Sequence, residues 1–198
     1  MQTIEVGSNR VDLYYGEGAS LDVVKSMPKN SVHCVVTSPP YFGLRNYDAE
    51  GQIGLESTPE EYIARLVETF DAIREVLHPQ GTVWVNLGDS YWGSMGGSFK
   101  SSELRDSFQD RMVDEGNTLA IRSPTPYSQT RSRECGGYKP KDLIGIPWMF
   151  AFAMRARGWY LRTDIIWNCP NKMPESCKDR PGRAHEYLFL FTKSRDYF

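Results

Sequence analysis

Ser31-Val32-His33-Cys34-Val35-Val36-Thr37-Ser38-Pro39-Pro40-Tyr41 is the stretch from which the rest of this chain is read. The apolar run Val32 to Val36 predicts a strand of the kind that parallel sheets bury on both faces. It ends on a double proline with an aromatic just beyond. Proline fixes its own φ and restricts the residue before it, so Ser38 is held extended and the carbonyls of Pro39 and Pro40 point at set angles. Such a turn suits the capture of a flat ring by an exocyclic amine. Hydrogen-bond acceptors converge on the amine while Tyr41 offers a face for stacking. Taken alone, the pentapeptide also fits an ordinary strand followed by a proline-rich turn.

Outward from this stretch the pattern is mostly strand and helix in alternation. Val11-Asp12-Leu13-Tyr14-Tyr15 predicts a short strand closed by Gly16, and Ser20 caps a short helix that Pro28 ends. The strongest helix signal runs from Pro59 to His78. Thr58 and Glu61 form a capping box, Pro59 takes the first helical position, and Tyr62, Ile63, Leu66, Val67, Phe70, Ile73 and Leu77 mark one buried face. Pro79 and Gly81 are its expected stop, and Thr82 to Leu87 the next strand. Residues 93–138, rich in Ser, Gly, Arg and Thr, predict a mobile insertion, or a disordered surface loop. Pro147 opens a helix to about Arg157 with Gly158 as its stop. Tyr160 to Trp167 and His185 to Thr192 predict two further strands. The result is an α/β fold with an antiparallel strand pair at one edge of the sheet.

A length of 198 residues fits one domain, and 40% hydrophobic with 13% aromatic residues is a globular composition. No apolar run reaches membrane-spanning length and the N-terminus is not a signal peptide, so a cytoplasmic protein with no membrane partner is expected. Cys34, Cys135, Cys169 and Cys177 have no regular ligand spacing, which favours reduced structural cysteines and no metal. Charge is uneven. Residues 1–92 carry a net −7, residues 93–138 zero, and residues 139–198 a net +5. A basic C-terminal third suggests a face directed at phosphates, unless those charges are scattered in space.

Several segments carry a resemblance. Tyr15-Gly16-Glu17, Leu21-Asp22-Val23-Val24 and Ser31 through Arg45 open it. It continues in Gly81 through Tyr91, Lys141 through Trp148 and Trp159 through Trp167. Met173-Pro174-Glu175-Ser176, Asp179-Arg180-Pro181 and His185-Glu186-Tyr187 close it. In this order, with only Gly93 to Tyr138 unmatched, they resemble the amino-group (N4-cytosine or N6-adenine) DNA methyltransferases of the circularly permuted, or beta, class. The resemblance implies a Rossmann-like fold that uses S-adenosyl-L-methionine. It is incomplete here, a partial methyltransferase domain over 1–198. The Phe-x-Gly-x-Gly strand that binds the cofactor in that class is expected C-terminal to all these motifs, so a complementing polypeptide is an expected partner beside double-stranded DNA.

By the same resemblance, the Ser38 hydroxyl and the Pro39 carbonyl accept the two hydrogens of the target amine, and Tyr41 stacks on the base. Pro40 and Trp167 line the base pocket. Gly16, Glu17 and Thr37 stand at the cofactor, although relatives usually carry aspartate in place of Glu17. Lys172, Arg180, Arg183 and His185 face DNA. Lys172 stands where relatives often have proline, and a structural role competes for His185. Serine at the first motif position mostly accompanies the N4 amine of cytosine, and aspartate or asparagine the N6 amine of adenine. The implied reaction is methyl transfer to N4 of a cytosine flipped out of duplex DNA. Adenine N6 methylation, or a non-catalytic DNA-binding fragment that needs a partner chain, are the alternatives.

Overall fold

The computed structural model describes residues 2–6, 8–14, 20–44, 51–93, 137–172 and 177–198. Gly16, Glu17, most of the predicted insertion (94–136) and residues 173–176 lie outside them. Among the described residues no helix is long and apolar enough to cross a membrane. The chain divides into two compact units. One comprises Met1–Pro39, Ile63–Leu87 and Met149–Phe198, the other Pro40–Tyr62 and Gly88–Trp148.

The first unit holds two sheets. A hairpin pairs β1 (Gln2–Val6) with β2 (Asn9–Leu13), antiparallel. The sequence reading placed a strand at Val11 to Tyr15 and none before it. The observed strand begins two residues earlier, because it takes its register from β1. After α1 (Ser20–Ser26), a four-stranded sheet is built from β3 (Val32–Thr37), β4 (Leu77–Leu87), β5 (Tyr160–Asn168) and β6 (His185–Thr192). Its order is β3-β4-β6-β5. β3 runs parallel to β4, while β6 is antiparallel to both β4 and β5. The expected antiparallel pair at one edge is therefore β6 with β5.

Helix α2 (Pro59–Val76) and helix α3 (Ile146–Ala156) supply one layer against this sheet. Phe70 of α2 meets Phe150 of α3 edge-on at 5.1 Å, and Phe150 meets Phe191 of β6 at 5.8 Å. Register puts Val83 beside Phe191 and Val85 beside Phe189, all four fully buried. Strand alternation sends the intervening residues to the opposite face. There Val36 is 75% exposed and Trp84 and Asn86 are half-buried. This corrects the expectation that β3 is buried on both faces. It is an edge strand of the described sheet, and its residues are at most half-buried, Val35 on the side of Val83 among them.

Local chemistry accounts for the element ends. The Glu61 N–H donates to Thr58 Oγ1 at 3.2 Å, and the Glu61 carboxylate accepts from the Ser57 N–H at 3.1 Å. The capping box therefore forms with its return bond one residue early. The far end of α2 departs from expectation. There is no turn at Pro79, since α2 ends at Val76 and β4 begins at Leu77. Pro79 falls in the irregular start of β4, where the register with β3 shifts and a missing N–H is tolerated. Gly81 is needed there because a Cβ would lie 2.9 Å from the His33 carbonyl oxygen. Helix α3 ends as predicted at Gly158, whose φ is 85°. The Trp159 N–H donates to the Met154 carbonyl and the Gly158 N–H to that of Arg155, a Schellman pair.

Candidate functional site

The sheet gathers a candidate site at the C-terminal end of β3. Val36 lies beside Trp84 and Thr37 beside Val85 in the parallel pairing, and Asn86 lies opposite Leu188. On the next strand Ile165 pairs with Leu188 and Trp167 with Glu186, so Trp167 shares a face with Leu188 and Asn86. A cavity of about 500 Å³ opens on this face. Val36, Trp84, Trp167 and Leu188 give it flat and apolar walls, while Thr37, Ser38 and Asn86 bring hydroxyls and a carboxamide. Among the described residues that line it, none is charged. Such a lining suits a neutral planar ring with an amine at its rim. The rings take the faces, and the oxygens of Ser38 and Asn86 are of the acceptor type an amine requires.

Three of the predicted site residues, Thr37, Ser38 and Trp167, thus meet around one cavity. Trp84 and Asn86 were not among them. Asn86 carried a signal, a carboxamide at an alternate position of an otherwise apolar strand. It donates from Nδ2 to the Tyr187 carbonyl at 3.4 Å, tying the cavity floor to β6. Gly16 and Glu17 lie outside the described residues. Pro39 belongs to the first unit with Ser38, and Pro40 and Tyr41 to the second.

In that second unit the segment after the prolines is held by a set of short bonds. The Tyr62 hydroxyl donates to the Pro40 carbonyl at 2.8 Å, and the Gly43 N–H to the Gly54 carbonyl at 2.6 Å. The Leu44 N–H reaches the Tyr41 carbonyl at 3.3 Å. Burial, then the negative charge of Glu56, holds the ionisation of Tyr62 well above the ordinary tyrosine range. Tyr138 is likewise raised, by burial and by its hydrogen bond to Glu60 at 2.7 Å. The Tyr138 ring stacks on Trp92 at 5.2 Å, and the Trp92 backbone pairs with Lys141 and Asp142. Residue 92, just before the predicted insertion, and residue 138, its last, are therefore side by side.

The DNA-facing candidates cluster at the matching end of the first unit's sheet. Lys172, Arg180 and Arg183 lie in the connector from β5 to β6, and His185 begins β6. Register puts this connector at the same end of the sheet as the C-terminus of β4, because Leu87 pairs with Tyr187. Lys172 is exposed, and Arg180, Arg183 and His185 are half-buried. The His185 ring meets Tyr187 edge-on at 5.3 Å, a packing contact. Among the described residues no cluster of His, Cys, Asp or Glu has the makings of a metal site.

Residues 32–198 match the family model described as DNA methylase. The chain belongs to this N6/N4 DNA methylase family of amino-methyltransferases. It is 47% identical over 182 residues to the type II methyltransferase M.XycI of Xanthomonas campestris pv. cyanopsidis, covering 92% of this chain and 55% of that one. To the type II methyltransferase M.SmaI of Serratia marcescens it is 45% identical over 181 residues, covering 91% and 56%. The chain thus spans about half the length of the curated relatives it matches. The fold is shared with the PvuII DNA methyltransferase (cytosine-N4-specific), with a TM-score of 0.55, 18% identity and coverage of 91% of this chain and 49% of that one. It is also shared with a DNA modification methylase of Thermus thermophilus, described as putative and complexed with S-adenosyl-L-methionine. That match has a TM-score of 0.54 and 20% identity, covering 92% of this chain and 54% of that one.

Asp89 does not line the cavity. Its carboxylate accepts from the N–H groups of Gly145 (2.9 Å), Ile146 (3.0 Å) and Ser90 (2.9 Å), so it caps the start of α3 from 57 residues away. Charge-assisted bonds to helix-start N–H groups are among the stronger caps. Asp89→Ala should therefore lower unfolding stability by about 2 kcal/mol. Urea titration followed by far-UV circular dichroism checks this. A loss below about 0.5 kcal/mol would show that the cap is dispensable.

Proposed function

We propose that this chain carries the amine-acceptor and base-recognition part of a site-specific DNA methyltransferase acting on N4 of a flipped-out cytosine. Both units are assigned to that one methyltransferase domain. The observation that carries the reading is the cavity at the end of β3, where Ser38 and Asn86 stand among Trp84, Trp167 and Val36. An exocyclic amine is a weak nucleophile because its lone pair is delocalised into the ring. Acceptors for both of its hydrogens, the Ser38 hydroxyl and the Pro39 carbonyl, favour a pyramidal nitrogen and free that pair. Tyr41 stacks on the base, and Pro40 and Trp167 bound its pocket. The methyl donor, S-adenosyl-L-methionine, supplies an electrophilic methyl on a sulfonium, so no covalent enzyme intermediate is needed. The assignment of cytosine rests on serine at position 38.

The described cavity fits the target ring better than it fits the donor. Among the described lining residues there is no carboxylate to hold ribose hydroxyls. We therefore assign Thr37 to the cofactor's edge and the remainder of the donor pocket to a polypeptide carrying a Phe-x-Gly-x-Gly strand. DNA phosphates are assigned to Lys172, Arg180 and Arg183, with His185 behind them. The enzyme would work in the cytoplasm, where its DNA lies.

Three outcomes are expected. In a methylating preparation, this chain together with the complementing polypeptide, Ser38→Ala should lower the single-turnover rate about 100- to 1,000-fold, as loss of one preorganised contact does, with DNA affinity nearly unchanged. A loss under about threefold would remove Ser38 from the acceptor role.

The 198-residue chain alone should show no measurable S-adenosyl-L-methionine binding by calorimetry, with binding recovered when the complementing polypeptide is added. Micromolar binding by the chain alone would place a donor site within these residues.

Replacing Lys172, Arg180 and Arg183 together with alanine should weaken DNA binding on all sequences and reduce the salt slope by about three units. An unchanged slope would put the phosphate-binding face elsewhere.

A further inference from the structure

The geometry points to Tyr62 as a positioning residue for Tyr41, acting through the carbonyl of Pro40. The inference rests on the reading that Tyr41 stacks on the target base, and it names the group that fixes the angle of that ring.

Tyr62 is fully buried near the start of α2, against Phe42 at 5.3 Å between ring centroids. Phenylalanine would pack there equally well. A buried hydroxyl is unfavourable unless it finds a partner. Here the partner is the Pro40 carbonyl, 2.8 Å away and 22 positions back in the sequence.

The Pro40 carbonyl and the Tyr41 N–H belong to one planar peptide. The pyrrolidine ring already fixes φ of Pro40. A bond that fixes the direction of its carbonyl fixes ψ as well, and with it the plane from which Tyr41 departs. The peptide on the other side of Tyr41 is held independently. Its carbonyl accepts from the Leu44 N–H at 3.3 Å. It also lies where a Cβ on Gly54 would come within 2.9 Å, at a φ of 103° that itself favours glycine. Gly54 is pinned in turn by the Gly43 N–H to its carbonyl and by its own N–H to the Glu56 carboxylate at 2.8 Å. Both peptide planes flanking Tyr41 are thus set by named bonds, and the ring retains little freedom beyond its own torsions. A phenol is protonated at neutral pH, and burial pushes the ionisation of Tyr62 further up, so its hydroxyl stays a donor.

The test uses Tyr62→Phe, which keeps the packing and removes the bond. Hydrogen exchange of the 198-residue chain, read by nuclear magnetic resonance, should show protection of the Gly43 and Leu44 amides falling about five- to tenfold. Amides of β4 and β6 should be unchanged. Gly54→Ala should loosen the same amides from the other side. Unchanged protection at Gly43 and Leu44 in Tyr62→Phe would overturn the inference, and so would a uniform loss across the sheet, which marks a merely structural role.

In the methylating preparation, Tyr62→Phe should lower the single-turnover rate about tenfold with DNA affinity retained. It should cost nothing further in a Tyr41→Ala background, because the two residues act on one ring. Additive losses would overturn it. If the unsubstituted enzyme transfers no methyl group in any preparation, the parent reading fails by itself, and the exchange data still decide whether Tyr62 holds the loop.

Discussion

The parallel pairing of β3 with β4 sets where the cavity residues of those two strands point. Five register pairs, from Val32 with Leu77 to Thr37 with Val85, align the end of β3 with the C-terminal part of β4. A slip of one residue in β4 would turn Trp84 and Asn86 toward the helices and Val83, Val85 and Leu87 away from them. Each fully buried aliphatic side chain is worth about 1.5–3 kcal/mol. Exposing those three would forfeit roughly 5–9 kcal/mol, a large share of the ~5–15 kcal/mol that holds a domain folded. The register is therefore not negotiable, and Ser38 inherits its place from core packing rather than from any contact of its own.

The double proline turns that fixed strand end into a site. β3 delivers an extended Ser38, and Pro39 and Pro40 then prevent the chain from continuing as a regular strand. The prolines fix φ but leave ψ of Pro40 open, and the Tyr62 hydroxyl acts on that remaining torsion. Rigidity at this turn is built from covalent restriction on one side and one buried hydrogen bond on the other. The sheet beyond is covered by helices on its Val83 and Phe191 side, while Val36, Trp84 and Trp167 keep substantial exposure on the other.

Much of this was legible in the residues because it is local. The capping box at Thr58, the helical spacing from Tyr62 to Ile73, Gly158 after α3 and the strand ending in Ser-Pro-Pro-Tyr all act within a few positions. The misreadings are non-local. β1 has no strong signal of its own and exists through its pairing with β2. Pro79 looked like a helix stop, yet Leu77 is drawn into the sheet by Val32 from 45 positions back. β3 looked buried on both faces because its composition is apolar, but exposure depends on which strand neighbours it. Tyr62 was visible as a core-facing helical residue. The meaning of its hydroxyl depends on where a loop 22 residues earlier brings a carbonyl.

In the proposed function Ser38 and its cavity act on the N4 amine of cytosine. The most direct measurement is the modified nucleoside itself. Unmethylated DNA is treated with the methylating preparation and S-adenosyl-L-methionine carrying a labelled methyl group, digested to nucleosides and resolved by mass spectrometry. Label is expected in N4-methylcytosine. Label in N6-methyladenine would contradict the base assignment, and label in 5-methylcytosine would contradict the amine chemistry altogether.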